Sequence, residues 1–479
     1  MIDSQTPGSP GWWFKRLAEK QVMRLADLHR LHRYAVGDAD LPEGDNRVRE
    51  TFQTFQRKAR SNYVGLICES LLERLRVTGF RAGSDATAAD DKDAWAMWQA
   101  NSMDADIALG FRAALYMREA YLMIGPPDGS AGKYPVITVE DPREMIAEMD
   151  PIRKRRPLAV LKMWNDTVVN QRRALLMVGG DFHSYTAPLR DDSTHAYEGF
   201  SLDSWQHAGA AKNPAGRPPV VRLPNRMNID GTCLAEAEDT IDIQDRINNQ
   251  ILDRLVISKM QAYRQRWVTG ASFEDEDGNP MEPFKPGADL VWAVEDETAR
   301  FGDFSQADLT PILSAVRDDV RDMAAISRTP AHYLLGEFIN AAGDAFDASE
   351  TGLVAKAKER MAHFGEAIEE AIRIGYLYLK DSRADAFDSE VQWGDPQRRA
   401  LAEMADAATK LSAAGVPWRT LMGVLNFTPQ EIDRMAAERA SDALLASALA
   451  PAPALNQNAP QAPTQDDSKP PEEQPAEPQ

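Results

Sequence analysis

The stretch GPPDGSAGKY, residues 125 to 134, is the first place where residue types suggest chemistry, because glycines ahead of a lysine can cradle a phosphate. The phosphate-loop spacing needs Gly at position 127 and Ser or Thr at 134, where Pro127 and Tyr134 stand. Proline also removes a backbone N–H that such a cradle uses. Flanked by two β-like runs, the segment reads as a hairpin turn. His29 and His32, three apart on a helix, suggest a shared metal ion. Arg24, Arg30 and Arg33 oppose a cation there, and no carboxylate–histidine pairing of known spacing follows. His183, His195, His207, His332 and His363 are scattered, with no nucleophile signature beside them. Glu274, Asp275, Glu276 and Asp277 precede Gly278 but miss the calcium-loop pattern, which leaves a solvated acidic turn. The densest basic run, RKRR at 153–156, reads as a solvated β-turn, with contact to an acidic partner as the sharper alternative. No catalytic, cofactor-binding or metal-ligating set survives, so the chain is not expected to be an enzyme and calls for no cofactor.

The elements that carry these residues must therefore serve another purpose. At 479 residues the chain exceeds one compact core, so two to four domains or subdomains are expected. No run approaches the roughly 20 apolar residues that span a bilayer, and no membrane partner is expected. The first 20 residues show no positive segment followed by an apolar one, so no secretory signal is expected. Cys68 and Cys233 sit in apolar contexts and read as reduced structural thiols. A net charge of −20 argues against wrapping nucleic acid by phosphate neutralisation, which needs clustered Lys and Arg. It leaves open a surface that DNA slides past without sticking.

Helical spacing of apolar residues predicts helices over 12–36, 47–76 and 91–117. Residues 119 to 224 change character. YPVITVED, LAVLKMWND, RALLMVGGDFHSYTA and VVRLP are β-rich runs broken by Gly, Pro, Asn and Asp, a sheet-bearing module in a helical protein. The helical period returns from Leu234 to about Gln265, turns and short strands interrupt it over 270–304, and it resumes from Gln306 to Ser327. Asp347 and Glu350 resemble a capping box that starts a helix near Ala348 and carries it to Lys380. Pro396 is expected to open a helix that Gly415 closes, and Thr428, Pro429 and Glu431 to start the last one. The proline-rich segment 450–479 is expected to be disordered.

In combination and order, the stretches INNQILDRLVISKMQAYRQRWVTG (247–270), DDVRDMAAISRTPAHYLLG (318–336), AAGDAFDASETGLVAKAKERMAHFGEAI (341–368), VQWGDPQ (391–397) and KLSAAGVPWRTLMGVLNFTPQEI (410–432) resemble the portal proteins of tailed bacteriophages. The likeness is to the siphophage-type family of phages of actinobacteria, and it covers most of residues 45 to 440. The resemblance implies an α+β, mainly helical portal fold with wing, stem, clip and crown, a β-rich wing module and a β-containing clip. It implies a ring, typically a dodecamer, at one capsid vertex, through which double-stranded DNA is packaged and ejected without sequence specificity. The implied partners are the terminase large subunit, a head–tail adaptor, and the major capsid and scaffolding proteins. The alternative is another virion or scaffold-type interaction protein without a DNA channel.

Carried onto this sequence, the resemblance makes 1–230 an N-terminal arm and wing, 231–267 and 306–328 the stem helices, and 268–305 the clip. It makes 329–347 a tunnel loop, 348–395 a long helix and return to the wing, and 396–449 the crown. The implied clip contacts are Leu290, Val291, Trp292 and Val294, since edge strands there can pair with a neighbouring copy. The implied tunnel loop is Phe338, Ile339, Asn340, Ala341, Ala342, Gly343, Asp344, Ala345, Phe346 and Asp347. Between Thr329 and Ala355 there is no Lys or Arg, so this loop would touch DNA through small and apolar groups and would not grip phosphate; the other reading buries it between wing and stem. Arg317, Arg321 and Arg328 are the channel-facing candidates for sparse phosphate contacts, or else they pair with Asp318, Asp319 and Asp322. Twelve copies at −20 each give roughly −240, a field that opposes tight DNA binding.

Overall fold

The computed structural model describes residues 2–42, 50–81, 90–190, 194–262, 266–270, 298–303, 307–336, 343–397, 401–425 and 427–449. Two compact units make up the chain, 1–411 and 412–479. The first helix, α1 (Pro10–Ala35), starts at Ser9, whose hydroxyl accepts the Trp12 amide at 3.2 Å, with Pro10 in the first turn. It ends at Gly37, which takes the left-handed conformation at φ +82° while the Asp38 amide reaches back to the Arg33 carbonyl.

The helix expected over 47–76 is two helices, α2 (Glu50–Ala59) and α3 (Tyr63–Leu72). Local polar bonding wins over apolar periodicity at the break. The Asn62 side chain accepts the Gly65 amide at 2.9 Å, and Ser61 bonds to Asn248 at 3.0 Å, tying this turn to a distant helix. After strand β1 (Val77–Arg81), the helix expected over 91–117 is likewise split into α4 (Lys92–Ala100) and α5 (Met103–Met117). Asn101 at that break receives the Ile137 amide and donates to the Met97 and Pro135 carbonyls, each at 2.9 Å.

The β-rich module is present as expected. A three-stranded antiparallel sheet has the order β3 (Val136–Glu140), β2 (Glu119–Gly125), β9 (Val220–Pro224). Gly125 pairs with Val136, so GPPDGSAGKY is the β2–β3 connection, a turn and not a phosphate cradle. A five-stranded meander follows the order β4 (Met145–Met149), β5 (Pro157–Asp166), β6 (Gln171–Val178), β7 (Asp181–Pro188), β8 (Gln206–Lys212). Helix α1 lies on one face of this meander. Phe14 stacks on Tyr185 with ring centroids 4.2 Å apart, and Leu17, Ile146, Leu161 and Leu176 are fully buried around them.

Beyond the sheets run α6 (Ile241–Ala262), β10 (Arg266–Thr269), β11 (Arg300–Asp303), α7 (Thr310–Ile326), α8 (Ala331–Leu335) and α9 (Gly343–Leu379). At about 55 Å, from 1.5 Å per residue, α9 is the spine of the first unit. Phe364 stacks on Phe111 of α5 at 4.9 Å, and Tyr376 donates to the buried Asp91 carboxylate at 2.7 Å. Gly375 lets α4 come close, since a Cβ there would meet the Met97 sulfur at 2.6 Å. Strand β12 (Glu390–Trp393), from the motif VQWGDPQ, pairs antiparallel with β1. The last helices are α10 (Leu401–Ala413), α11 (Trp418–Val424) and α12 (Pro429–Leu449).

Of four expected helix ends, two depart from expectation and two form. α9 begins at Gly343, so position 347 lies within the helix and not at its start; Glu350 is buried in an ion pair. Pro396 sits in a bend, its carbonyl taken by Arg74, and α10 runs from Leu401. The box at Thr428 and Glu431 forms as expected, with the Thr428 amide donating to the Glu431 carboxylate at 2.8 Å and the Glu431 amide to the Thr428 hydroxyl at 3.3 Å. Gly415 has φ +84°, the left-handed residue beyond α10. Residues 450–479 lie outside the described residues.

Candidate functional site

Two paired helices and the turn that follows them form the candidate site. Helix α7 packs on α6 through Val320, Met323 and Ala324, and its one buried carboxylate, Asp319, is claimed from across the interface. Arg246 of α6 meets Asp319 at 2.6 Å and Gln250 donates to it at 2.8 Å. The outer face of α7 carries Arg317 and Arg321, four residues apart and both exposed. Arg321 pairs with Asp318 at 2.8 Å, an exposed contact worth no more than about 0.5 kcal/mol. Arg321 thus meets one of the three aspartates named as alternatives, while Asp319 pairs elsewhere.

The end of α7 is unusual. The Thr329 amide donates to the Ala324 carbonyl at 3.0 Å and the Arg328 amide to that of Ala325 at 3.2 Å, the paired bonds of a Schellman terminus. Such a terminus places its left-handed residue where glycine is favoured, and here that residue is Arg328, at φ +50°. Its side chain is exposed, and its backbone packs on Gly352 of α9, where a Cβ would lie 3.5 Å from the Arg328 Cβ and carbonyl oxygen. Pro330 follows and prevents the helix from resuming.

Beneath this turn is a buried ionic cluster. The Lys356 ammonium donates to the Ser327 carbonyl at 2.6 Å, satisfying the terminus of α7, and to Glu236 at 2.8 Å. Arg360, one turn along α9, meets the other Glu236 oxygen at 3.0 Å. Burial alone would push the Glu236 carboxyl up, but these two cations outweigh it and hold it below the usual carboxylate range. A polar cavity of about 40 Å³ adjoins Arg360 and Arg328, enough for one water molecule. A second cluster anchors the next turn: Arg74 meets Glu350 at 3.1 Å, and the Tyr333 hydroxyl lies 3.0 Å from Arg74 and 3.1 Å from Glu350. Leu334 is buried in the main core, with Tyr333 and Leu335 packed against it, so the apolar half of the 327–347 segment is a docked helix closed by Gly336 at φ +64°.

These two clusters were not expected from the sequence. A signal was available, because Lys356 and Arg360 interrupt the apolar stripe of Leu353, Ala357, Met361 and Phe364 on α9. Of the expected loop, Phe338, Ile339, Asn340, Ala341 and Ala342 lie outside the described residues. Gly343, Asp344, Ala345, Phe346 and Asp347 are backbone of α9. Leu290, Val291, Trp292 and Val294 also lie outside the described residues. The base of their segment is the antiparallel ladder of β10 with β11, from Arg266 opposite Asp303 to Thr269 opposite Arg300. Trp267 lies over Gly302, where a Cβ would collide with its ring, and both Trp267 and Phe301 are partly exposed.

The histidines form no cluster of the kind first considered. His29 faces His195 at 4.7 Å between ring centroids, while His32 lies toward Tyr116. Among the described residues no group of three or more His, Cys, Asp and Glu is placed to hold a metal ion, and no helix is long and apolar enough to cross a membrane.

Residues 15–443 match the family described as phage portal protein, SPP1 Gp6-like. The portal protein of Mycobacterium phage D29 is 31% identical over 373 residues, covering 74% of this chain and 73% of the relative. That of Mycobacterium phage L5 is 30% identical over 378 residues, covering 75% and 74%. Among solved structures, a chain in the virion of a native gene transfer agent particle is 13% identical with a TM-score of 0.46, covering 85% of this chain and 99% of that one.

Proposed function

Because the chain belongs to the SPP1 Gp6-like family of phage portal proteins, we propose that it forms the ring at one capsid vertex through which double-stranded DNA is packaged and later ejected. The family match across 15–443 is the observation that carries this reading. In it, α6 and α7 are the stem, and the β10–β11 ladder is the base of the clip, where the terminase large subunit docks first and a head–tail adaptor later. Residues 1–230 and 348–395 are the wing, 396–449 the crown, and 338–342 with the first residues of α9 the tunnel loop. The wing meets the major capsid and scaffolding proteins.

The role is mechanical and electrostatic, with no catalytic group assigned. An acidic ring disfavours tight phosphate binding, so the duplex passes without being held. Arg317 and Arg321 on the outer face of α7, and Arg328 beyond it, supply sparse phosphate contacts on an otherwise repulsive wall. Among the described residues the Arg328 side chain has no hydrogen-bond or ion-pair partner, in a position where glycine would serve the backbone better, which supports a role for it outside the subunit. Purified protein examined by light scattering and negative-stain imaging is expected to form closed rings of about a dozen copies with a central channel. A chain that stays monomeric at high concentration overturns the reading.

A further inference from the structure

We propose that the cleft between the 150–157 turn and the C-terminal half of α9 is a docking site for an acidic, apolar-anchored peptide segment of a protein partner. The cleft has a volume of about 630 Å³ and is lined by seven cationic side chains against three carboxylates, in a chain whose net charge is −20. The carboxylates are partly spent within the fold, since Glu370 pairs with both Arg217 and Arg373. The cations of the turn make no ion pair among the described residues, although Arg153 and Arg156 lie close enough to Asp150 to help lower its carboxyl, and Lys154 does the same for Asp230. Lys154 donates to the Ile229 carbonyl and Arg155 meets the His363 ring nitrogen at 2.8 Å, neither of them an acid. Arg153 and Arg156 are exposed and make no side-chain ion pair among the described residues. Asp150, in the same turn, accepts the Ile152 and Arg153 amides with its carboxylate.

The floor is apolar, formed by Val220, Val221, Ala367 and Ile374. On the rim Phe387 is 78% exposed, with the Arg373 guanidinium 5.2 Å from its ring. An apolar floor with a basic rim is complementary to apolar side chains flanked by Asp or Glu. A DNA duplex fits it poorly, because a rod about 20 Å across cannot enter a cleft of this size and offers the apolar floor nothing but backbone. The turn RKRR thereby gains the acidic-partner role that the sequence alone did not favour.

The test uses assembled full-length protein and three fluorescein-labelled probes at low ionic strength. These are a short peptide with Glu and Asp flanking Leu and Phe, the same peptide with Lys replacing the acids, and a short DNA duplex. The acidic peptide is expected to bind, the lysine peptide not to, and binding to fall about ten-fold or more with Arg153→Glu plus Arg156→Glu and separately with Phe387→Ala. Circular dichroism controls for folding, and all three positions are exposed. The proposal is overturned if the acidic peptide fails to bind, or binds the charge-reversed protein equally well. It is overturned equally if the duplex binds with the same residue dependence, or if charge reversal breaks the ring and leaves peptide binding intact.

Discussion

At the residue scale, the fold is held at the end of α7 by charges almost wholly withdrawn from bulk water. Glu236 is 5% exposed, Lys356 2% and Arg360 1%, so each would carry a large desolvation cost if left alone. Glu236 accepts from both cations and Lys356 also donates to the Ser327 carbonyl, while the Arg360 Nε finds no hydrogen-bond partner among the described residues. Such a cluster adds little net stability over an apolar replacement, but it is intolerant of losing one member. Glu236→Gln keeps the shape and removes the carboxylate that the two buried cations share, leaving Arg360 only its pair with the half-exposed Glu359. Urea unfolding at neutral pH is expected to show a loss of about 3–5 kcal/mol. A loss below about 1 kcal/mol would mean that water reaches the cluster and that it does not lock α7 to α9.

At the element scale, most helices and most strands of the β-rich module were legible, because period and turn residues there agree with the packing; β4 and the wholly exposed β8, QHAGAAK, were not, since neither shows apolar alternation. Apolar spacing carried no information about where a helix is cut by a polar side chain bonding to something distant in sequence. Asn62 and Asn101 cut two expected helices by bonding to Ala35, Pro135 and Ile137, partners that only the folded chain brings close. Asp347 and Glu350 had capping-box spacing, yet Glu350 points to Arg74, 276 residues away. The site was legible only in part: the helix pair and the stop before Pro330 could be read, while the ionic clusters beneath could not. The left-handed Arg328 was equally hidden, since arginine gives no hint of positive φ. Placing glycine there is expected to relieve about 1–2 kcal/mol of backbone strain, partly offset by the entropy of a freer unfolded chain. Arg328→Gly should therefore unfold at slightly higher urea, by about 0.5–1 kcal/mol, yet package DNA less well. Normal packaging by the stabilised variant would remove Arg328 from the channel wall.

At the scale of the whole molecule, pH acts on assembly and on the fold in opposite directions. Each chain carries −20 at pH 7 and has a sequence pI near 4.9, so mutual repulsion between copies relaxes as pH falls toward 5. The fold answers later. Glu119 joins α1 to the three-stranded sheet through Arg24 at 2.5 Å and Arg222 at 3.4 Å, with the Tyr121 hydroxyl donating to it at 2.6 Å. Burial alone would raise its carboxyl, but these partners prevail and hold it at about 2, against an ordinary value of 4.5. Glu236 is shifted in the same direction. A carboxyl depressed by folding gives stability that is fully present above its unfolded value and is lost as pH falls through the folded one. The contribution of Glu119 is therefore intact from pH 7 down to about 4.5 and drains away between there and about 2. Urea midpoints measured at pH 7, 6 and 3 for wild type and Glu119→Gln separate this from the general loss of charge. The gap between the two proteins should stay constant from pH 7 to 6 and narrow markedly at pH 3, because acid removes from the wild type what the substitution has already removed. Parallel midpoints across the whole range would place the acid sensitivity in other carboxylates and leave Glu119 as a packing residue alone.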